Sequence, residues 1–177
     1  MKYDFTSIID RHGKDAIAVD MVGLPGSPYP APKEGFDVIP MWVADMNFPT
    51  VPAVQEAIIA RTQHPAFGYF EPRQEYFDAI ISWQRRRNGW EIDTKLMSYC
   101  LGVVQSIAAA VRLYTPEGGS ILIQTPVYSE FYDMTELGGR NVIENQFVEK
   151  DGKWVMDWED FEAKLQIADL FLLCNPH

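Results

Sequence analysis

The chain has 177 residues, a length for one domain or slightly more, and its 25 acidic against 15 basic residues give a net charge of −10. That balance disfavours nucleic acid or an anionic membrane as the main partner. Hydrophobic residues at 47% fall in periodic blocks, which argues for a packed core rather than disorder. No run approaches the roughly eighteen apolar residues of a spanning helix, and the opening Met1-Lys2-Tyr3-Asp4-Phe5 lacks the apolar core of a secretion signal. A cytoplasmic location is therefore expected.

Residues 1–50 carry prolines at 25, 28, 30, 32, 40 and 49, which prevent long helices and predict an extended arm draped over a body. Thr50 is placed to cap a helix running to about Gln63, with Pro52 in its first turn and Val54, Ala57 and Ile58 on one face. A loop carrying Phe67-Gly68-Tyr69-Phe70 follows. A second helix starts near Pro72, shows Tyr76, Phe77, Ile80, Ile81 and Trp83 at helical spacing, and ends at Asn88-Gly89. Its last turn holds Arg85-Arg86-Arg87, read as complementing the helix dipole rather than as a binding patch.

From there strands and helices alternate. Leu96–Leu101 reads as a strand, Val103–Tyr114 as a helix, Ser120–Gln124 as a strand, Tyr128–Leu137 as a helix and Asn141–Phe147 as a strand. Glu149–Lys153 is a turn, Asp157 caps a helix to Leu165, and Ala168–Cys174 is an almost wholly apolar strand. This order predicts an α/β architecture with a mainly parallel sheet flanked by helices. Cys100 and Cys174 each close a predicted buried strand and are expected as reduced core residues. His12, His64 and His177 lack ligand spacing, so no metal site is expected. No internal repeat is found.

Two corners carry candidate chemistry. Cys100-Leu101-Gly102-Val103-Val104 puts glycine between a predicted strand end and a helix start, where free backbone amides can hold a phosphate, although any βα corner can use glycine there. Gln124-Thr125-Pro126-Val127-Tyr128 lies on the edge where open α/β sheets bind ligands. Tyr128 can serve either as a platform for a planar cofactor or as a core aromatic.

Taken in order, Met41-Trp42-Val43-Ala44-Asp45-Met46-Asn47-Phe48, Phe67-Gly68-Tyr69, Gly102-Val103-Val104, Pro126-Val127-Tyr128 and Leu173-Cys174-Asn175-Pro176-His177 resemble the cystathionine beta-lyase branch of the class I and II aminotransferases. These are fold-type I pyridoxal-phosphate enzymes. The resemblance implies residues 1–50 as an amino-terminal arm and small-domain segment, and 51–177 as the first part of a cofactor-binding large domain. It implies that the amides at Gly102, Val103 and Val104 cradle the phosphate of pyridoxal 5′-phosphate and that Tyr128 stacks on its ring. Tyr69 would reach the neighbouring subunit's phosphate, which implies a homodimer with shared active sites. Val43, Ala44 and Asp45 would border the pocket of a small sulfur-containing amino acid, with a structural role for Asp45 held ahead of direct contact.

The activity implied is release of a thiol, pyruvate and ammonia by β-elimination. An aminotransferase, or a non-catalytic regulatory and protein-binding piece, is the alternative. The family's imine-forming lysine, the aspartate on the ring nitrogen and the arginine on the substrate carboxylate would all lie beyond His177. The chain's own lysines (2, 14, 33, 95, 150, 153 and 164) fall in arm, loop or helix-surface positions. None sits at a buried strand end, where an amine is desolvated for imine chemistry. On this reading the chain is an incomplete fold, inactive alone, that holds the cofactor weakly or not at all and exposes a strand edge built for burial.

Overall fold

The computed structural model describes residues 3–177, which divide into two compact units, the second being Glu71–His177. Met1 and Lys2 lie outside the described residues.

The first unit ends at Phe70. Its prolines do exclude long helices, but the segment is not extended, because it folds on itself. A single turn, α1 (Ile17–Asp20), buries Ala18. The Trp42 indole N–H donates to the Ala18 carbonyl at 3.1 Å, and its ring stacks on Tyr29 with centroids 3.7 Å apart. The Ile9 amide donates to the Asn47 carbonyl at 2.8 Å, and Arg11 pairs with Asp45 at 2.7 Å. α2 (Pro52–Thr62) begins with proline where its missing donor costs nothing. The expected cap at Thr50 is not made: Val51 is the boundary residue and no side chain caps the end. Ile58 and Ile59 remain exposed.

In the second unit α3 (Gln74–Asn88) ends at Gly89, whose φ of 64° is the left-handed conformation that suits glycine. Backbone bonds from Gly89 to Arg85 and from Trp90 to Gln84 close the end. Arg85 forks onto Glu91 with both bonds at 2.6 Å, so one member of the basic cluster is spent within the chain. The predicted strand Leu96–Leu101 is not formed. A 3-10 turn, Thr94–Leu96, occupies its start, and although Met97 has extended dihedrals, no described strand lies beside it to supply ladder bonds. Cys100 is consequently exposed rather than in the core.

The remaining elements are α4 (Val103–Tyr114), β1 (Ser120–Thr125), α5 (Glu130–Glu136), β2 (Asn141–Lys150), β3 (Lys153–Met156), α6 (Trp158–Leu165) and β4 (Leu170–Leu172). The sheet order is β3-β2-β1-β4. β1 pairs in parallel with β2 from Ser120↔Asn141 and with β4 from Ile121↔Leu170. β3 was not expected. It returns antiparallel on β2 through Asp151-Gly152, whose φ values of 53° and 71° fit a two-residue hairpin turn. β4 is shorter than the predicted Ala168–Cys174, because only Leu170–Leu172 pair with β1.

β1 is the centre of the fold: Ile121 to Thr125 are all buried. Ile121 and Ile123 pack with Val111 of α4 and Phe131 of α5, and Ile107, Val127, Tyr132, Val142, Leu170, Leu172 and Cys174 pack against that cluster. Phe171, the register partner of Leu122, meets Phe161 of α6 edge-on at 5.1 Å. Buried Asn145 donates to the Asp157 carbonyl at 3.0 Å and to Asp160 at 2.8 Å, which locks α6 to β2 without leaving a polar atom unpaired. Asp157 caps α6 as predicted, accepting from the Asp160 amide.

At the start of β1 space is tight. A Cβ on Gly119 would stand 2.8 Å from an Asp169 carboxylate oxygen and 2.9 Å from the Pro116 carbonyl. The Gly119→Ala variant is therefore expected to lose about 1–3 kcal/mol of stability through forced displacement. A urea midpoint equal to that of the unmodified chain would contradict this reading.

Candidate functional site

In a parallel sheet the carboxyl ends of the strands face one edge, and this sheet gathers three chain segments there. α4 precedes β1 across the short link 115–119 and lies on it through Ile107 and Val111, so it runs antiparallel to β1. Its amino end is thereby directed toward the carboxyl end of β1. Gly102 is the boundary residue, and no side chain caps the helix. The first-turn amides of Val103 and Val104 cannot have intrahelical acceptors, and they carry the partial positive charge of the helix end. A Cβ at Gly102 would meet nothing within 4 Å, so the backbone is open to a ligand.

β1 delivers the second segment. Pro126 and Val127 follow its last residue, Val127 packs on the core, and Tyr128 stands 58% exposed. The Phe131 amide donates to the Tyr128 carbonyl at 3.1 Å, fixing the backbone that carries the ring. Behind it, Thr125 donates to Glu144 at 3.1 Å, and burial, with a hydrogen bond to the same carboxylate, pushes the Tyr132 phenol above its ordinary range. The third segment follows β4. His177 places Nε2 3.3 Å from the Gln124 carbonyl, and its ring meets Phe147 edge-on at 4.7 Å. Pro126, Phe147, Trp154 and His177 line a cavity of about 330 Å³.

Gly102, Val103, Val104 and Tyr128 thus belong to the second unit. Tyr69, wholly exposed, and Val43, Ala44 and Asp45 belong to the first. Val43 is half-buried, and its carbonyl accepts from the Asp45 amide at 2.8 Å. The carboxylate of Asp45 is engaged by Arg11. That ion pair and the Phe147–His177 contact had no sequence signal, since each joins residues whose proximity only the folded chain creates. No group of metal-ligating side chains exists among the described residues, and no helix there is long and apolar enough to cross a membrane.

Residues 37–177 match the family described as aminotransferase class I and II. Over 143 residues the chain is 42% identical to cystathionine beta-lyase PatB of Bacillus subtilis (strain 168), covering 80% of this chain and 37% of that protein. Its fold is similar to that of cystalysin from Treponema denticola, whose structure contains a pyridoxal 5′-phosphate cofactor: the TM-score is 0.86 at 32% identity, covering 100% of this chain and 44% of the other. It is similar also to a C-S lyase from Staphylococcus hominis with bound cofactor, at a TM-score of 0.81 and 27% identity, covering 99% and 43%. The chain therefore spans less than half the length of the relatives it matches.

Beside the open helix end, the Cys100 sulfur lies 3.0 Å from the Ser106 hydroxyl. That hydroxyl holds the thiol below its ordinary pKa. Because the thiolate is the reactive form, Ser106→Ala is expected to raise the Cys100 pKa toward its ordinary value and to slow alkylation several-fold near neutral pH. Iodoacetamide rates across a pH series read this directly, and an unchanged profile would refute it.

Proposed function

Since the chain belongs to the aminotransferase class I and II family, which residues 37–177 match, we propose that it forms the phosphate and ring seat of a pyridoxal 5′-phosphate enzyme that cleaves a carbon–sulfur bond. The observation that carries this reading is the uncapped amino end of α4 at Gly102, set toward the sheet edge where Tyr128 is exposed.

The residues fit the group. The Val103 and Val104 amides would hold the phosphate dianion, which neutral donors and a helix end accommodate without a cationic side chain. Tyr128 would lay its ring on the pyridine face, and its exposed, backbone-fixed position leaves it free to do so. When bound, the coenzyme supplies an electron sink for the α-carbon of an amino acid. Tyr69 would serve the phosphate of a second subunit, which makes the working unit a homodimer in the cytoplasm. Val43 and Ala44 would border the side chain of a small sulfur-containing amino acid. Asp45, already bound by Arg11, would hold that border in place rather than touch substrate.

Residues 51–177 would then be the first part of the cofactor-binding domain. Lys14, Lys33, Lys95, Lys150 and Lys153 are exposed, and Lys164 is committed to Asp160 and to the Glu144 carbonyl. The 177-residue chain supplied with pyridoxal 5′-phosphate and cystathionine is accordingly expected to release no pyruvate.

Two measurements test the proposal. Equilibrium dialysis of pyridoxal 5′-phosphate against the chain should show Tyr128→Ala and Gly102→Val each weakening binding about tenfold, or about 1.4 kcal/mol. Binding unaffected by both would remove the seat from this corner. In a protein that joins this chain to an imine-forming lysine, cystathionine should yield pyruvate with a thiol. Formation of a new amino acid from an amino-acid and keto-acid pair, without pyruvate, would favour the aminotransferase reading that the family description also allows.

A further inference from the structure

Glu144 is a half-buried carboxylate in the middle of β2, and no ion pair engages it among the described residues. In the parallel register it stands beside Ile123, so its side chain shares a sheet face with Ile123 and with Thr125 further along β1. That face carries α5, because Ile123 packs with Phe131. The Thr125 hydroxyl donates to the Glu144 carboxylate at 3.1 Å. Tyr132, in the first turn of α5 and packed on the same cluster, brings a second hydroxyl. Burial and the hydrogen bond to Glu144 hold the Tyr132 phenol above its ordinary pKa, so it remains a donor well past neutral pH.

The two hydroxyls bracket the segment that carries Tyr128. Thr125 closes β1 immediately before residues 126–131, and Tyr132 immediately follows them. Within the segment the chain bonds to itself, the Phe131 amide to the Tyr128 carbonyl at 3.1 Å and the Tyr132 amide to the Ser129 carbonyl at 2.9 Å. Those bonds shape the turn, and the carboxylate on the neighbouring strand ties both of its ends to one point.

A carboxylate suits that place. Ionised, it accepts from two donors at once, and its hydrogen bonds are stronger than those between neutral groups. An aromatic ring that is to lie on a flat ligand gains when its backbone is already fixed, because less ordering is left for binding to bring about.

We propose that Glu144 is a positioning residue of the cofactor seat, clamping the two ends of the 126–131 turn through Thr125 and Tyr132 and thereby setting the ring of Tyr128. This rests on the reading of Gly102 and Tyr128 as the seat of pyridoxal 5′-phosphate. It gives β2 a part in a site otherwise built from the start of α4 and the segment after β1. Glu144 acts through Tyr128 and not on the ligand.

A double-mutant cycle on the 177-residue chain tests the clamp. The readout is equilibrium dialysis of pyridoxamine 5′-phosphate, which keeps the ring and the phosphate but has no aldehyde to react with exposed lysines. Glu144→Ala is expected to weaken binding about fivefold, the scale of ordering one side chain. Glu144→Gln retains an acceptor oxygen and is expected to recover most of that loss. Tyr132→Phe keeps the packed ring, loses only the hydroxyl, and is expected to weaken binding about twofold. In the Tyr128→Ala background Glu144→Ala and Tyr132→Phe are expected to cost nothing further, because the ring they act through is gone. A carboxylate that only supported the fold would lower binding by the same factor in both backgrounds. Amide exchange in the cofactor-free chain gives a second readout. In Glu144→Ala the Phe131 and Tyr132 amides should exchange faster, while those of Leu122 and Ile123 stay protected and report an intact sheet. Binding that Tyr128→Ala leaves unchanged would remove the seat and this inference together. Binding that Tyr128→Ala weakens and Glu144→Ala does not, or losses that multiply in the double variant, would overturn the clamp alone.

Discussion

Hydrogen bonding of β1 on both sides is the constraint from which the rest of the second unit follows. The crossovers between parallel strands put helices on the sheet faces, and Ile121 to Thr125 are all buried. That burial fixes α4 and α5 on one face through Val111 and Phe131, and it brings Phe171 against α6 on the other. The start of the strand is held by polar contacts rather than bulk. Asp169 accepts from the Ser120 amide, and Arg140 donates to the Thr115 carbonyl and hydroxyl and to the Gly138 carbonyl. These bonds join the loop before β1 to the loop before β2, so the two parallel strands enter the sheet in register.

Once the register is set, the composition of the carboxyl edge is no longer free. α4 leads into β1 across the short link 115–119 and packs on its cluster through Ile107 and Val111, which directs the start of the helix toward the carboxyl end of the strand. A helix end there brings about half a unit of positive charge without a cationic side chain. The phosphate proposed at this corner would then need no arginine or lysine beside it. His177 is anchored on the same edge through the Gln124 carbonyl, so the segment after β4 is placed by β1 as well.

The sequence was most legible where a local signal and a tertiary partner coincide. The helix over Val103–Tyr114 has both its apolar face and its glycine boundary, and it is found at those residues. The alternating strands and helices from Ser120 onward gave the parallel sheet, and Asp157 announced α6. Leu96–Leu101 failed because apolar alternation reports burial potential and not the presence of a neighbouring strand to bond. β3 was missed for the opposite reason: Lys153–Met156 is too short to signal by composition, and it forms because Asp151-Gly152 turns it back onto β2. The motifs at Gly102 and Tyr128 could be read as candidates, since glycine at a βα corner and an aromatic after a strand are local features. The contacts of Asp45 and His177 could not, because Arg11 and Phe147 are distant in the chain.

The two units also differ in what stabilises them, and the difference bears on the proposed division of labour. In the first unit the fully buried apolar side chains among the described residues are Ala16 and Ala18, and cohesion comes from the Tyr29–Trp42 stack, the indole bond to Ala18 and the Arg11–Asp45 pair. The second unit has a branched and aromatic core on β1. Local opening is governed by buried apolar contact, so the first unit opens at lower free-energy cost than the second. Gly102, Val103, Val104 and Tyr128, proposed to meet the cofactor within one subunit, therefore rest on the more stable body, and Val43, Ala44 and Asp45, proposed to border the substrate, rest with Tyr69 on the more yielding one. A cofactor seat gains from rigidity because its donors must stay convergent on one dianion, whereas a border that admits and releases substrates gains from low opening cost.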